Sequence, residues 1–233
     1  MEEDSRQITT FPGSGRGLEA VIFVAGWLIW GLLAINVIES GPLVQYDQPL
    51  ALALHQQALA GPAWVIEVMK FLSFMGKHGI TTLLIAFGLF WLFHKQWREI
   101  IMAALGVGGG TLVFWGLAGL VHRSRPVLPQ PFDTIPFSSF PSGHMINSVS
   151  FYLLLLYLVW PGLKSGFVRA LFLIFTVGLL LSIAFSRLYL GDHFLTDVIA
   201  GAAVGLAWSV LVYPGVDAYL KRRHAKKMAA QSR

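Results

Sequence analysis

Cysteine is absent from this 233-residue chain. That excludes disulfide staples, thiolate catalysis and Cys-ligated metal sites. Charge is scarce as well: 12% of residues are Asp, Glu, Lys or Arg, against 55% hydrophobic, and the mean hydropathy is +0.65. A soluble globular domain carries about a quarter charged residues, so half that fraction implies a surface that largely faces lipid. The N-terminus lacks the basic start of a cleaved secretory signal. It opens on Glu2, Glu3 and Asp4, and the first apolar run begins only near Leu18 and is long enough to span. The expectation is an uncleaved first helix that inserts and stays. No internal repeat and no soluble domain are recognisable.

The charge that remains is +5 net, and its placement decides its meaning. Lys221, Arg222, Arg223, Lys226 and Lys227 follow directly on an apolar run, which marks a membrane-flanking segment rather than a nucleic-acid surface. Crossing the hydrocarbon core takes about 20 apolar residues. Six stretches qualify: Leu18 to Ile38; His78 to Phe93, extending back towards Trp64 with a bend at Gly76; Ile100 to Val121; Met145 to Trp160; Phe167 to Phe185; and Phe194 to Tyr213. The fold class expected is all-α: a polytopic membrane protein, a helical bundle of six transmembrane helices. Residues 1–233 form one membrane-embedded domain, with 1–17 as an N-terminal segment and 215–233 as a basic tail. The glycines of the third stretch and the Gly201, Ala202, Ala203, Gly205, Ala207 stripe of the sixth suit close helix packing in lipid. Lys95 and Arg98 lie between the second and third helices, and Lys164 and Arg169 between the fourth and fifth. Together with the tail these fall on the side of the N-terminus, which the positive-inside rule makes cytoplasmic. The segments Glu39 to Pro62, His122 to Gly143 and Ser186 to Asp192 then lie outside, and the first of them suits a short amphipathic helix. Two outer segments break the charge rule with Arg123, Arg125 and Arg187; a bound anion would account for arginine there.

Three polar clusters fall on that outer side. In the last, Ser186-Arg187 is followed by His193 and Asp197. Four residues apart, His193 and Asp197 share a helix face if the helix begins near His193. A carboxylate on one ring nitrogen fixes the tautomer and leaves the other as acceptor or nucleophile. Arg187 offers a planar fork for phosphate oxygens. In Pro141-Ser142-Gly143-His144, Ser142 is a good N-cap, Gly143 permits close backbone approach, and the free N–H groups make an anion site. His144 beside that site is placed to protonate a leaving oxygen. Arg123-Ser124-Arg125-Pro126 adds guanidinium groups. This inventory of charge clamps, nucleophile and acid is that of phosphoryl transfer. The Asp192, His193 and Asp197 set also has the residue types of a metal site, although no further His, Asp or Glu stands at matching spacing nearby.

These motifs resemble those of the type 2 phosphatidic acid phosphatase (PAP2) superfamily. Its signature is Lys, six residues, Arg-Pro; then Pro-Ser-Gly-His; then Ser-Arg, five residues, His, three residues, Asp. The second and third parts are complete here, at Pro141 to His144 and at Ser186, Arg187, His193 and Asp197. The resemblance implies His193 as the nucleophile that becomes a phosphohistidine, Asp197 as its orienter, and His144 as acid and then base. It implies Arg125, Arg187, Ser142 and Gly143 as phosphate-binding groups, with no metal and no cofactor. The first part departs from the pattern: Ala118 stands where the signature has Lys, and Arg123, His122 and Lys77 are the candidates to replace it. The implied function is removal of phosphate from a lipid phosphate or diphosphate at the outer face of the plasma (bacterial inner) membrane. Phosphatidylglycerophosphate, undecaprenyl diphosphate, phosphatidate and lipid A phosphates are the candidate substrates. A lipid phosphotransferase with a lipid diphosphate donor shares the chemistry up to the phosphohistidine. A transporter fits six helices, but the helix interiors lack the charged residues that mark ion paths; Glu67 and Lys70 are the only candidates, both near a helix end. The loop Val127 to Phe140, with Phe132, Phe137 and Phe140, is expected to cover the pocket.

Overall fold

The computed structural model describes residues 15–132 and 136–231. Most of the expected N-terminal segment (1–14), three residues of the loop at 133–135 and the last two residues of the tail lie outside them. Helix α1 is Arg16–Ile38, α2 Asp47–Ala60, α3 Ala63–Met75, α4 His78–Phe93, α5 Trp97–Ala103, α6 Gly109–Val121, α7 Gly143–Val159, α8 Gly166–Tyr189 and α9 Leu195–Gln231. Grouped by continuity, they give six helices long and apolar enough to cross a membrane. Large side chains such as Leu28, Leu32, Leu112, Leu120, Ile174 and Phe175 point out of the bundle and are more than 60% exposed. A water-facing monomer does not carry apolar patches on that scale.

Two of the six spans are interrupted, and in each case neighbouring side chains take up backbone groups at the irregularity. Between α5 and α6 the chain runs through one π turn, Ala104–Gly108, and the Trp208 indole N–H of α9 reaches the Leu105 and Gly106 carbonyls, 3.0 Å from each. Between α3 and α4 the helix breaks at Gly76 and Lys77, as the sequence suggests. Hydroxyls on α7 close that break: Tyr152 Oη donates to the Met75 carbonyl at 3.1 Å and Ser148 Oγ to the Gly76 carbonyl at 3.4 Å. Polar side chains from a neighbouring helix are the usual way to satisfy broken backbone in lipid. The 31-residue stretch Ala63–Phe93 would run about 46 Å if straight, well beyond a hydrocarbon core of about 30 Å. The break lets α3 slant across α8 while α4 continues down the bundle.

Helix α9 is the central post, with α1 and α7 packed along it. The glycine stripe sets how closely α7 can approach. A Cβ on Gly201 would lie 2.5 Å from the Ser142 carbonyl oxygen, and one on Gly205 2.9 Å from the Ile146 carbonyl oxygen and from Val149 Cβ. Lipid tails are as apolar as leucine side chains, so helices in a membrane associate through such close contact rather than through expulsion of water. Here the stripe does more than pack, because it brings the first turns of α7 and α9 together: the Ser142 N–H donates to the Asp197 carbonyl at 3.0 Å.

One expectation is corrected. The basic tail is not a separate segment after Tyr213, since α9 continues through Pro214 to Gln231. Proline removes one helical hydrogen bond, but the turns beside it are anchored. Tyr213 and Val216 are buried in the core. Asp217 binds Arg98 of α5 through Nε at 2.5 Å and Nη2 at 2.8 Å, and accepts the Tyr157 hydroxyl of α7 at 2.8 Å.

Replacing Gly205 by leucine is expected to cost about 1–3 kcal/mol by overpacking. A fall in the thermal unfolding temperature of detergent-solubilised protein, with a parallel loss of turnover, is the readout.

Candidate active site

The site lies where α6, α7, α8 and α9 end or begin at the same end of the bundle. The turn from α8 to α9 shapes it. Gly191 takes φ +74°, a left-handed conformation that costs glycine little. The Asp192 and His193 N–H groups then fold back to the Arg187 carbonyl at 3.1 and 3.3 Å. Asp192, Arg187 and His193 are thereby gathered into one turn, all less than 9% exposed. Arg187 Nη2 pairs with Asp192 Oδ2 at 2.8 Å, and its Nη1 bonds Ser73 Oγ of α3.

His193 lies just before α9 rather than on it, and this alters the expected pairing with Asp197. Its Nδ1 is 2.8 Å from the Ser139 carbonyl oxygen, whereas Asp197 Oδ2 is 3.6 Å away. The Asp197 oxygens are already engaged, Oδ2 by the Phe194 N–H at 2.9 Å and Oδ1 by Arg123 Nη1 at 2.6 Å. A carbonyl only accepts, so Nδ1 carries the hydrogen and Nε2 holds a lone pair. Nε2 faces Arg125, with Nη1 at 3.5 Å. Burial lowers the imidazole below its ordinary 6.5; the charges of Arg187 and Arg125 act in the same sense, against the hydrogen bond and charge of Asp197.

Arg125 is held from both sides, Nε by the Phe137 carbonyl at 3.2 Å and Nη1 by the Asp192 carbonyl. Ser142 caps α7 as expected, accepting the Met145 N–H at 3.4 Å. His144 follows in the first turn, its ring centroid 6.3 Å from that of His193. Ser142, Gly143, His144, Arg125, Arg187, His193 and Asp197 are thus brought together.

Arg123 departs from the expectation of a phosphate clamp. Its guanidinium turns away from Nε2 and bridges two buried carboxylates: Asp197 Oδ1 at 2.6 Å and Asp47 Oδ2 at 2.7 Å, with Thr196 Oγ1 at 2.7 Å and the Phe194 ring 4.2 Å from the guanidinium carbon. Asp47, at the start of α2, also accepts the Thr196 N–H at 3.2 Å and its hydroxyl at 2.5 Å. No motif marks Asp47 in the sequence. Its one signal is an acidic residue at a helix start within a segment otherwise poor in charge. The Ser139 carbonyl could not have been found from sequence at all, because any residue supplies one.

The covering loop needs correction too. Phe140 is fully buried against Leu33, Ala34 and Ala200, so it anchors the loop and does not line a pocket. Phe137 packs edge-on against Trp115, and Phe132 against the His55 ring. Helix α2 holds the loop through Gln48, which binds the Val127 backbone, and through His55 Nε2, 2.6 Å from the Pro129 carbonyl oxygen. Among the described residues, no group of three or more His, Asp or Glu is placed to hold a metal.

Apolar spans converge on an arginine-flanked histidine pair, His193 buried and His144 half-buried, the setting of a membrane-embedded phosphatase. The sequence profile of the PAP2 superfamily matches residues 116–220. A phosphatidylglycerophosphatase B of Bacillus subtilis is 30% identical over 166 residues, which cover 70% of this chain and 80% of that protein. A decaprenylphosphoryl-5-phosphoribose phosphatase of Mycobacterium tuberculosis is 29% identical over 160 residues, 67% of this chain and 84% of that one. The crystal structure of a transmembrane PAP2-type phosphatidylglycerolphosphate phosphatase from Bacillus subtilis superposes with a TM-score of 0.72 at 26% identity, covering 86% of this chain and 96% of that one. This chain belongs to the PAP2 superfamily.

Removing the Arg123 side chain would leave Asp47 and Asp197 as uncompensated buried charges, which typically costs 3–5 kcal/mol, on the order of the effect expected for Arg123→Ala. The melting temperature of that variant should fall markedly. An unchanged value would mean that the guanidinium serves bound substrate and not the carboxylate pair.

Proposed function

We propose that the protein hydrolyses a lipid phosphate or diphosphate through a phosphohistidine on His193, without a metal, at the outer face of a bacterial inner membrane. The observation that carries this is the anchored Nδ1 of His193, which leaves the Nε2 lone pair directed at Arg125. In the first step Nε2 attacks phosphorus, the bond from phosphorus to the leaving oxygen breaks, and His144 gives that oxygen its proton. In the second step His144 takes a proton from water, the water oxygen attacks phosphorus, and the N–P bond breaks to release inorganic phosphate. The 6.3 Å between the two rings leaves room for a phosphoryl group between them. Arg125, Arg187, the Ser142 hydroxyl and the Gly143 N–H would meet the charge that builds on its oxygens, as preorganised donors do in acyl and phosphoryl transfer. Asp197 stabilises the imidazolium character that His193 gains on attack. Arg123 positions Asp197 and does not touch phosphate.

Loop charge supports the orientation. Lys95, Arg98, Lys164, Arg169 and the basic end of α9 all lie at the end of the bundle away from His193, which the positive-inside rule places in the cytoplasm. The relatives act on a glycerophospholipid phosphate and on a polyprenyl-linked phosphate. Phosphatidylglycerophosphate, phosphatidate, undecaprenyl diphosphate and lipid A phosphates are accordingly the substrates to test.

Purified protein should release phosphate from at least one of these lipids in the presence of EDTA, and His193→Ala should abolish release. Normal turnover by that variant would refute the histidine mechanism. His144→Ala should slow turnover by about 10²–10⁴-fold, the usual worth of a positioned acid–base group. In a quenched reaction, the labelled enzyme should carry phosphate that is lost in acid and kept in base. Because burial lowers the His193 pKa, the nucleophile stays neutral below its ordinary 6.5. The acidic limb of kcat/KM should therefore fall below that value, with activity lost as pH drops through the lowered pKa. A limb above 6.5 would contradict the assignment.

A further inference from the structure

We propose that Lys77, at the break between α3 and α4, is a substrate-binding residue that supplies a phosphate-clamping cation from outside the three motif clusters. The inference rests on the histidine reading of the site and adds a residue to it.

The register of α7 against the break places Lys77. Tyr152 bonds the Met75 carbonyl and Ser148 bonds the Gly76 carbonyl. One step along the break thus corresponds to one turn back along α7. The next step brings Lys77 level with His144, one turn before Ser148 on the same face. Ser73, one turn earlier on α3, bonds Arg187, so the same short stretch touches the site from a second direction. The Lys77 charge acts on the His144 ring alongside those of Arg187 and Arg125.

Nothing among the described residues accounts for a lysine there. Among the described residues no ion pair and no hydrogen bond engages its ammonium, and its side chain is exposed. It immediately precedes α4, at the positive end of a 16-residue helix, where a cation is disfavoured. Its neighbours in charge are two arginines. They are Arg187 and Arg125, which act with it on His144; Arg187 has Asp192 beside it, and among the described residues Lys77 has no such carboxylate. An ammonium kept at a helix N-terminus, sharing the His144 ring with two guanidinium groups and without a counter-ion among the described residues, becomes favourable once an anion binds beside that ring. The one anion the site is built to take is the phosphoryl group. Ala118 on α6 is small, uncharged and buried, and supplies no cation from that side.

The test uses the full chain in detergent micelles, dioctanoyl phosphatidate as substrate and orthovanadate as a lipid-free phosphate mimic. Lys77→Gln should lower kcat/KM by about 10²-fold, the scale of one lost transition-state donor. It should weaken orthovanadate inhibition by about tenfold or more and leave the melting temperature unchanged. Lys77→Arg, which keeps the charge, should stay within about fivefold of the parent. A Gln variant within about threefold of the parent in both measurements would overturn the proposal. So would a slow Gln variant with unaltered orthovanadate inhibition, which would place Lys77 in a structural role. His193→Ala run beside them separates the two readings: if it turns over normally the histidine mechanism fails, whereas its silence beside an unaffected Lys77→Gln removes Lys77 alone.

Discussion

Arg123 sits between two carboxylates that have almost no access to solvent, Asp47 and Asp197. Burying two carboxylates without a cation between them would cost several kcal/mol per ion. The guanidinium meets both, and with them it ties three distant parts of the chain together: the start of α2, the end of α6 and the first turn of α9. Everything at the site depends on this triad. Asp197 is held so that its second oxygen caps Phe194 and faces His193. The segment Arg123-Ser124 is held so that it can bind Ser138 and Ser139, and those bonds deliver the Ser139 carbonyl that fixes the His193 tautomer. A buried ion pair is weak evidence for stability, but it is a strong device for register, and register is what a two-histidine site requires.

Around that anchor the cations are graded by how fully the protein compensates them. Arg123 is neutralised by two carboxylates and belongs to the scaffold. Arg187 has one, Asp192, and a hydroxyl from α3. Arg125 is steered by the Phe137 and Asp192 carbonyls. Phosphoryl transfer asks little covalent chemistry of a protein beyond the nucleophile, and much in the way of positioned charge. The site meets that with donors whose positions are set before substrate arrives, so little reorganisation is left for the reaction itself.

Much of this was legible in the sequence where chemistry is tied to spacing. Six spans, the break at Gly76, the cap at Ser142 and the convergence of His144, Arg125, Arg187 and His193 all follow from residue type and interval. What escaped is of two kinds. Tertiary partners that leave no pattern were missed: Asp47 lies about 150 positions from the helix it serves, and Ser139 acts through a carbonyl that every residue has. Competition for one group was missed as well. The four-residue interval from His193 to Asp197 suggests a direct bond, but Arg123 and the Phe194 N–H reach the carboxylate first, and a carbonyl takes its place at the ring. The same competition removed Arg123 from the clamp. The tail misled in the opposite direction, since the apolar run ends at Tyr213 while the helix continues through Pro214, held by Tyr213 and Asp217.

The packing of α1 against α9 has a consequence for biogenesis. The first span to enter the membrane finds its main partner in the last, separated from it by most of the chain, and the catalytic turn lies immediately before that last helix. During synthesis the earlier helices can insert one after another, but none of them assembles a competent site. His193 is set in place, and the Arg123 triad closed, only when α9 packs against α1 and α7. A chain interrupted before that moment holds Arg123, Arg125 and His144 without His193 and Asp197. The site therefore closes only once α9 has joined the bundle.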